Sequence, residues 1–285
     1  MAGPLASLQD LLRPPFWEWT AAALGLIVGS FANVCIHRIP LDEPIGSPPS
    51  RCPGCRTPIR PWDNIPVLSY LLLRGRCRTC GTRISPRYPL VEATNAAAYW
   101  GVAVVYGPSL AAGIAMALIT ALHVLILIDL DHQILPDVIT RPGIVAGIAA
   151  SLAIHRFARE SGAPPASLIG GTFWWEAPAA AAAGYAAFAL IAWAGRKYYG
   201  QEALGRGDWK LAAMLGAFLG FKGLLLTVFL GSLTGAVIGL ALVALRKASR
   251  MTPIPFGTFL GLAGIGVVLA GAPLWRWYLL RGGFQ

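Results

Sequence analysis

Asp129 closes an apolar stretch, Leu125-Ile126-Leu127-Ile128-Asp129-Leu130-Asp131, and Asp208 opens another after Gly205-Arg206-Gly207. Holding an ionised group in hydrocarbon costs on the order of 3 kcal/mol or more, so a carboxylate at the edge of such a stretch is a functional candidate by default. Two carboxylates that come within a few ångströms cannot both ionise easily; they share a proton and titrate as a pair. One then activates water while the other donates a hydrogen bond to a carbonyl oxygen, which is aspartic protease chemistry. The bland reading of Asp208 is an N-cap after a glycine turn, with Gly205 and Gly207 leaving room for the backbone. Asp137, in Leu135-Pro136-Asp137-Val138, reads first as a cap or first-turn residue of the following helix. Asp131 reads as a solvated loop charge, and His132 as a lone loop histidine that is neither catalyst nor ligand.

A second constellation lies upstream. Cys52-Pro53-Gly54-Cys55 and Cys77-Arg78-Thr79-Cys80 are two CxxC pairs separated by 21 residues, close to the spacing of structural zinc ribbons. The surrounding 38–88 segment, rich in Arg, Pro and Gly, has too few apolar side chains for a core of its own, and a tetrahedral metal site supplies the missing folding energy. Two disulfides are the competing reading, disfavoured on a reducing cytoplasmic face. Four thiolates fill the zinc, so its role is structural rather than catalytic. Cys35 reads as a small buried side chain.

These residues are set in a membrane protein. The 285 residues are 56% hydrophobic and only 13% charged, with a mean hydropathy of +0.60, which excludes an ordinary soluble domain. A bilayer core is crossed by roughly 20 apolar helical residues, and the apolar runs give about eight spans: 17–37, 89–106, 109–130, 138–155, 176–195, 209–221, 223–245 and 256–275. The sixth and seventh are the least secure, because Gly220-Phe221-Lys222-Gly223 separates them thinly and 209–221 is short; seven spans remain the alternative. The fold class expected is an all-α polytopic membrane protein with a small zinc-ribbon-like cytoplasmic loop. Its division is an N-terminal transmembrane helix at 1–37, a cysteine-rich loop at 38–88 and a transmembrane bundle at 89–285.

The net charge of +10 follows from topology rather than nucleic-acid binding. With the N-terminus outside and the spans alternating, the inner loops hold 17 of the 23 Lys and Arg: nine in 38–88, then Arg141, then Arg196, Lys197, Arg206 and Lys210, then Arg246, Lys247 and Arg250. This is the positive-inside pattern, with both ends outside, and it places Asp129 and Asp208 on one, cytoplasmic, face. Trp62, Tyr70 and Tyr88 are too sparse among the basic residues for a nucleic-acid surface. Arg13, the first apolar run and Ser30-Phe31-Ala32 resemble a cleavable signal peptide, but His37 and Arg38 after the run suit a retained span. No internal repeat is evident.

In order along the chain stand Gly29-Ser30-Phe31-Ala32-Asn33-Val34-Cys35-Ile36-His37-Arg38-Ile39-Pro40, Arg51-Cys52-Pro53-Gly54-Cys55, Asn64-Ile65-Pro66-Val67-Leu68-Ser69-Tyr70, Arg74-Gly75-Arg76-Cys77 and Tyr88-Pro89-Leu90-Val91-Glu92. Ile128-Asp129-Leu130-Asp131, Leu135-Pro136-Asp137, the GxGD motif Gly205 to Asp208 with Lys210-Leu211, and Ile254-Pro255-Phe256-Gly257 follow. A lone GxGD is weak, but this series resembles the bacterial type IV prepilin peptidases, the leader peptidase and N-methyltransferase enzymes of the GxGD aspartic membrane protease family. The resemblance implies an endopeptidase with Asp129 and Asp208 as its dyad, supported by Gly205, Gly207, Lys210 and Asp137. It implies removal of the short basic leader of prepilins and pseudopilins after a glycine, at the cytoplasmic face of the bacterial inner membrane. Members with the cysteine-rich loop then methylate the new α-amine from S-adenosylmethionine. Gly75 matches the loop glycine tied in the family to methylation, and Arg76 stands where some relatives have lysine. No glycine-rich dinucleotide-type fingerprint marks a methyl-donor site, and Thr258 stands where the family often has proline.

Such a substrate suits the chain: its apolar helix lies against the bundle while its leader stays in the cytoplasm, leaving the scissile bond near both aspartates. The basic loop does not attract a basic leader; anionic lipid headgroups or the acidic residue early in mature pilins suit it better. The alternatives are a peptidase without methyl transfer; an ion-coupled transporter, which calls for paired halves with broken helices; and an interaction protein whose aspartates only cap helices and tolerate Asn. The sequence is silent on oligomeric state.

Overall fold

A computed structural model of the chain describes residues 15–161, 169–200, 204–245 and 255–281. Arg13, Ile254 of the Ile254–Gly257 motif, and the basic residues Arg246, Lys247 and Arg250 lie outside the described residues. Among those described there is no strand. The helices are α1 (Phe16–Arg38), the short α2 (Leu68–Leu72), α3 (Arg87–Tyr106), α4 (Leu110–His132), α5 (Asp137–Ser161), α6 (Glu176–Tyr199), α7 (Arg206–Ala244) and α8 (Phe256–Arg281). Prolines 15, 86, 136 and 255 each stand immediately before a helix, where a missing N–H costs nothing. Gly107 and Gly200, both at positive φ, stop α3 and α6.

Among the described residues, six helices are long and apolar enough to cross a membrane. Two expected stretches are present as helix without being counted among them. α3 carries the buried Glu92 and Asn95, which lower its apolar character. α7 counts once but is broken: Gly220 has φ +64 and ψ −170, and both Ala212 and Leu224 lie over Gly184 of α6, so the chain reverses between them. The eight stretches read from the sequence are thus all helical.

The chain divides into two compact units, Met1–Val124 and Leu125–Gln285, the boundary falling within α4. In the first, α1 packs on α3 through Gly25 and Gly29, where an added Cβ would stand 2.7 Å from Ala96 Cα and 2.8 Å from Glu92 Cα. Small residues let membrane helices approach and exchange hydrogen bonds. Asn95 Nδ2 donates to Gly25 O at 2.9 Å, Thr120 Oγ1 donates to Asn95 Oδ1 at 3.2 Å, and Tyr99 donates to Thr120 at 2.9 Å.

In the second unit the break in α7 is stitched by Glu176 at the start of α6. Its buried carboxylate accepts from Thr172 N at 2.5 Å and Phe173 N at 3.3 Å, and its other oxygen accepts from Phe221 N at 3.0 Å. The Phe221 N–H heads the second half of α7 and has no partner within that half. An added Cβ at Gly220 would stand 2.8 Å from the same carboxylate, so glycine is required there by both φ and space.

Candidate functional site

Asp129 occupies the last turn of α4, 5% exposed, at the start of α8. Thr258, the third residue of α8, donates to its Oδ2 twice: from the backbone N–H at 2.6 Å and from the hydroxyl at 2.9 Å. The hydroxyl has a single proton, and its other acceptor, Ile126 O, is at 3.4 Å, so the carboxylate is the better partner. The N–H is one of the donors a helix leaves unused at its N-terminus, where the macrodipole favours negative charge. Gly257 makes the approach possible, since a Cβ there would stand 3.0 Å from Asp129 Oδ2.

Asp208, 9% exposed, is also the third residue of its helix, and its Oδ2 accepts from Gly205 N at 3.2 Å. Gly205 is the N-cap, so the bland reading of Asp208 is corrected by one turn: it reaches back to the cap as the acid of a capping box does. Gly207 faces Leu135, where an added Cβ would stand 2.9 Å from Leu135 Cβ; Gly257 faces the same side chain at 2.8 Å. Leu135 is therefore a wedge between the starts of α7 and α8, the two helix ends that hold the aspartates. Asp129, which lies against Gly257, and Asp208, next to Gly207, thus flank one side chain, Leu135.

Asp137 heads α5, as its first-turn reading expects, and it also pairs with Lys210 of α7 and with Arg141 at 2.7 Å. Lys210, two residues after Asp208, is thereby tied to α5. Asp131 and His132 are exposed and lie in the last turn of α4, because the helix continues past the apolar run; the loop placement expected for them is corrected. The buried carboxylates of this unit, among the described residues, are Asp129, Asp208 and Glu176. Glu176 is committed to three backbone N–H groups, which leaves the two aspartates for chemistry.

In the first unit, Cys52, Cys55, Cys77 and Cys80 bring their Sγ atoms within 4.8 Å of one another, with Cys52 to Cys80 at 3.7 Å and Cys55 to Cys77 at 4.0 Å. Tetrahedral zinc with Zn–S bonds of about 2.3 Å requires sulfurs roughly 3.8 Å apart, so the donors fit that ion. Each CxxC lies on its own small hairpin: Cys52 N donates to Thr57 O at 3.0 Å and Cys77 N to Thr82 O at 2.9 Å. Thr57 and Thr82 also accept from Cys55 and Cys80 at 3.3 and 3.2 Å. The shared pattern C-x-x-C-x-T-x-I, at Cys52–Ile59 and Cys77–Ile84, is a short repeat that a search for long ones passes over. Arg78 grips Asp63 with both ends of its guanidinium, at 2.6 and 3.0 Å, holding that carboxyl below its ordinary range.

Gly75 joins the second hairpin to α2. Its φ is +66, its N–H donates to Tyr70 O at 2.8 Å, and its carbonyl accepts from Ile84 N at 2.8 Å. A Cβ there would stand 2.9 Å from the Tyr70 ring, so both reasons for glycine, positive φ and close approach, apply together. Arg76 is exposed on the same hairpin, opposite Arg83. Cys35 is buried in α1.

Sequence reasoning did not single out Thr258, Leu135 or Glu176 as contributors. Glu176 carried a usable signal, a lone acid at the head of an apolar run; Leu135 and Thr258 carried none strong enough, since their partners are distant in sequence.

Residues 23–106 match the bacterial peptidase A24 N-terminal domain, and residues 116–240 match the type IV leader peptidase family. The chain is 39% identical to the prepilin leader peptidase/N-methyltransferase of Pseudomonas aeruginosa, over 92% of this chain and 93% of that protein. It is 38% identical to the protein of that name from Aeromonas hydrophila, over 96% of this chain and 99% of the relative, and 37% identical to one from Burkholderia pseudomallei, over 99% and 93%. No solved structure matches.

Proposed function

We propose, from the premise that this chain belongs to the type IV leader peptidase family, that it cleaves the leader from prepilins and pseudopilins and then methylates the amine it exposes. The observation that carries the peptidase reading is the pair of buried aspartates held at adjacent helix starts, Asp129 by Thr258 and Asp208 by Gly205. One carboxylate takes a proton from water as the water oxygen attacks the scissile carbonyl carbon; the other, protonated, gives its hydrogen bond to the carbonyl oxygen. The intermediate collapses as the leaving nitrogen is protonated. Both bonds from Thr258 fall on Oδ2 of Asp129, which fixes the plane of the carboxylate and keeps Oδ1 for the water.

Lys210 and Asp137 tie the starts of α5 and α7 together, with Arg141 a second partner of Asp137 within α5, and Gly207, Gly257 and Leu135 set how closely the starts of α7 and α8 approach. Zinc held by Cys52, Cys55, Cys77 and Cys80 supplies folding energy to a loop that lacks a core. S-adenosylmethionine would supply the methyl group from its sulfonium to the neutral α-amine of the cleaved pilin, leaving S-adenosylhomocysteine and releasing one proton, and Gly75 and Arg76 lie on the part of the loop assigned to that step. The excess of Lys and Arg in alternate loops supports a multi-pass protein of the bacterial inner membrane with loop and aspartates on the cytoplasmic side.

Co-expression with a prepilin, followed by mass measurement of the pilin, tests the reading: the expected product lacks the leader and carries one added methyl group. A full-length prepilin would refute the peptidase; a trimmed, unmethylated pilin would leave the peptidase and refute the second activity.

A further inference from the structure

Four non-glycine residues of the loop between α1 and α3 take positive φ, Asp42, Arg56, Val67 and Arg74, and Val67 alone among them is β-branched. Val67 has φ +58 and ψ −49, and the flanking Leu68 N–H donates to Pro66 O at 2.5 Å, a three-residue turn of the rare positive-φ kind. For a β-branched residue this is a genuine outlier, and such strain persists only where the surroundings over-determine it. Here the Val67 N–H donates to Glu92 Oε2 at 2.7 Å. Glu92 is 8% exposed in the second turn of α3 and packed over Gly29. A buried acid of α3 is thus directed at one strained amide.

The turn leads straight into α2, where Ser69 Oγ donates back to Ile65 O at 2.7 Å. One residue later, Tyr70 presents its ring to Gly75 and accepts the Gly75 N–H. The zinc hairpins close through their own hydrogen bonds and do not need this turn, and the peptidase aspartates lie in the other unit. What the turn does fix is the direction in which α2, Tyr70 and Gly75 leave the helices.

We propose that Glu92 is a positioning residue for methyl transfer, holding Val67 in its strained turn and through it setting Tyr70 and Gly75. The inference rests on the assignment of the Gly75 region to methylation. Glu92→Ala removes the acceptor, and the turn relaxes toward negative φ. In membranes or detergent, with cleaved pilin and S-adenosylmethionine, the methylation kcat should fall roughly tenfold to a hundredfold, the range of a lost hydrogen bond to a charged group. Prepilin cleavage and zinc content should stay at the wild-type level. Glu92→Gln, which keeps a carbonyl for the Val67 N–H, should remain within about threefold of wild type, the cost of a neutral acceptor in place of a charged one. Val67→Gly in the Glu92→Ala background should recover most of the activity, because glycine adopts positive φ without steric cost. A general loosening of the fold would not be reversed by adding a glycine.

Methylation by Glu92→Ala within about twofold of wild type, while Gly75→Ser is impaired, would overturn the proposal. So would failure of Val67→Gly to rescue a zinc-loaded, cleavage-competent Glu92→Ala protein. Should Glu92→Ala lose its zinc, Glu92→Gln decides: methylation near wild type supports the acceptor role, and a loss beyond tenfold with zinc retained overturns it. Normal methylation by Gly75→Ser would overturn the underlying assignment of the loop, and the proposal with it.

Discussion

Replacing Thr258 by valine conserves shape and removes one atom that matters, the hydroxyl 2.9 Å from Asp129 Oδ2. The backbone N–H at 2.6 Å stays, so the carboxylate keeps one donor and loses the other. A hydrogen bond to a charged group contributes about 1.5–3 kcal/mol. The lower end applies because the remaining N–H still satisfies the same oxygen. About 1.5 kcal/mol on the barrier is roughly a tenfold fall in rate. The loss should appear in kcat for prepilin cleavage with KM little changed, since Thr258 touches Asp129, the carboxylate proposed to act in catalysis, and no surface assigned to substrate binding. Thr258→Ser restores the donor and should return cleavage to within about threefold, serine having the same hydroxyl on a less restricted side chain. Thr258→Pro removes both donors at a first-turn position where proline is otherwise tolerated, and should be slower than Thr258→Val. The assay is the rate of mature pilin formation from purified prepilin, read by mass. Cleavage by Thr258→Val or Thr258→Pro within twofold of wild type would refute the claim that these hydrogen bonds set up Asp129.

Asp129→Asn and Asp208→Asn should each abolish cleavage in a protein that still inserts and folds, while Asp131→Asn and Asp137→Asn are milder; leader removal by either of the first two would sink the two-carboxylate mechanism. Purified protein should carry about one zinc per chain, released when any of Cys52, Cys55, Cys77 or Cys80 becomes Ser, and metal analysis finding none, with the thiols paired as disulfides, would contradict both the site and its compartment. Gly75→Ser puts a side chain at positive φ against the Tyr70 ring; at a strain of roughly 1–3 kcal/mol, it should yield trimmed pilin with an unmethylated amine, and equal loss of both activities would tell against a separate loop function.

The helices were legible because the bilayer leaves a chain few options: 17–37 and 89–106 from the sequence correspond to Phe16–Arg38 and Arg87–Tyr106. Boundaries failed where polarity and helicity part company. α4 continues through Asp131 and His132, and α5 runs to Ser161, six residues beyond the apolar stretch ending at 155, since a helix has no need to stop where the hydrocarbon does. The cysteine site was legible because its chemistry is local and its spacing narrow. The surroundings of the aspartates were not. Thr258 reaches Asp129 across 129 residues, and no periodicity encodes such a contact. Nor does a Gly-x-Gly pattern reveal that Gly207 serves Leu135 while a Cβ at Gly205 would find only Asp208 Oδ2, at 3.5 Å. The rule that flagged Asp129 and Asp208 applies equally to Glu92 and Glu176, whose buried carboxylates proved to be committed to backbone amides.

The break at Gly220 also bears on how water arrives. The portion of α7 before it, 206–219, rises about 21 Å at 1.5 Å per residue, against a hydrocarbon thickness of roughly 30 Å. Residues Leu211 to Gly220 are all buried, so protein rather than lipid covers the shortfall and the bilayer meets no short span there. At its other end Gly205 and Arg206 are exposed, which leaves Asp208 less than one turn from water, and a hydrolase inside a membrane obtains its second substrate without a channel. Cleavage rates in bilayers of graded acyl length should therefore change little with thickness, and a steep fall in thicker bilayers would show that water reaches Asp208 through the lipid.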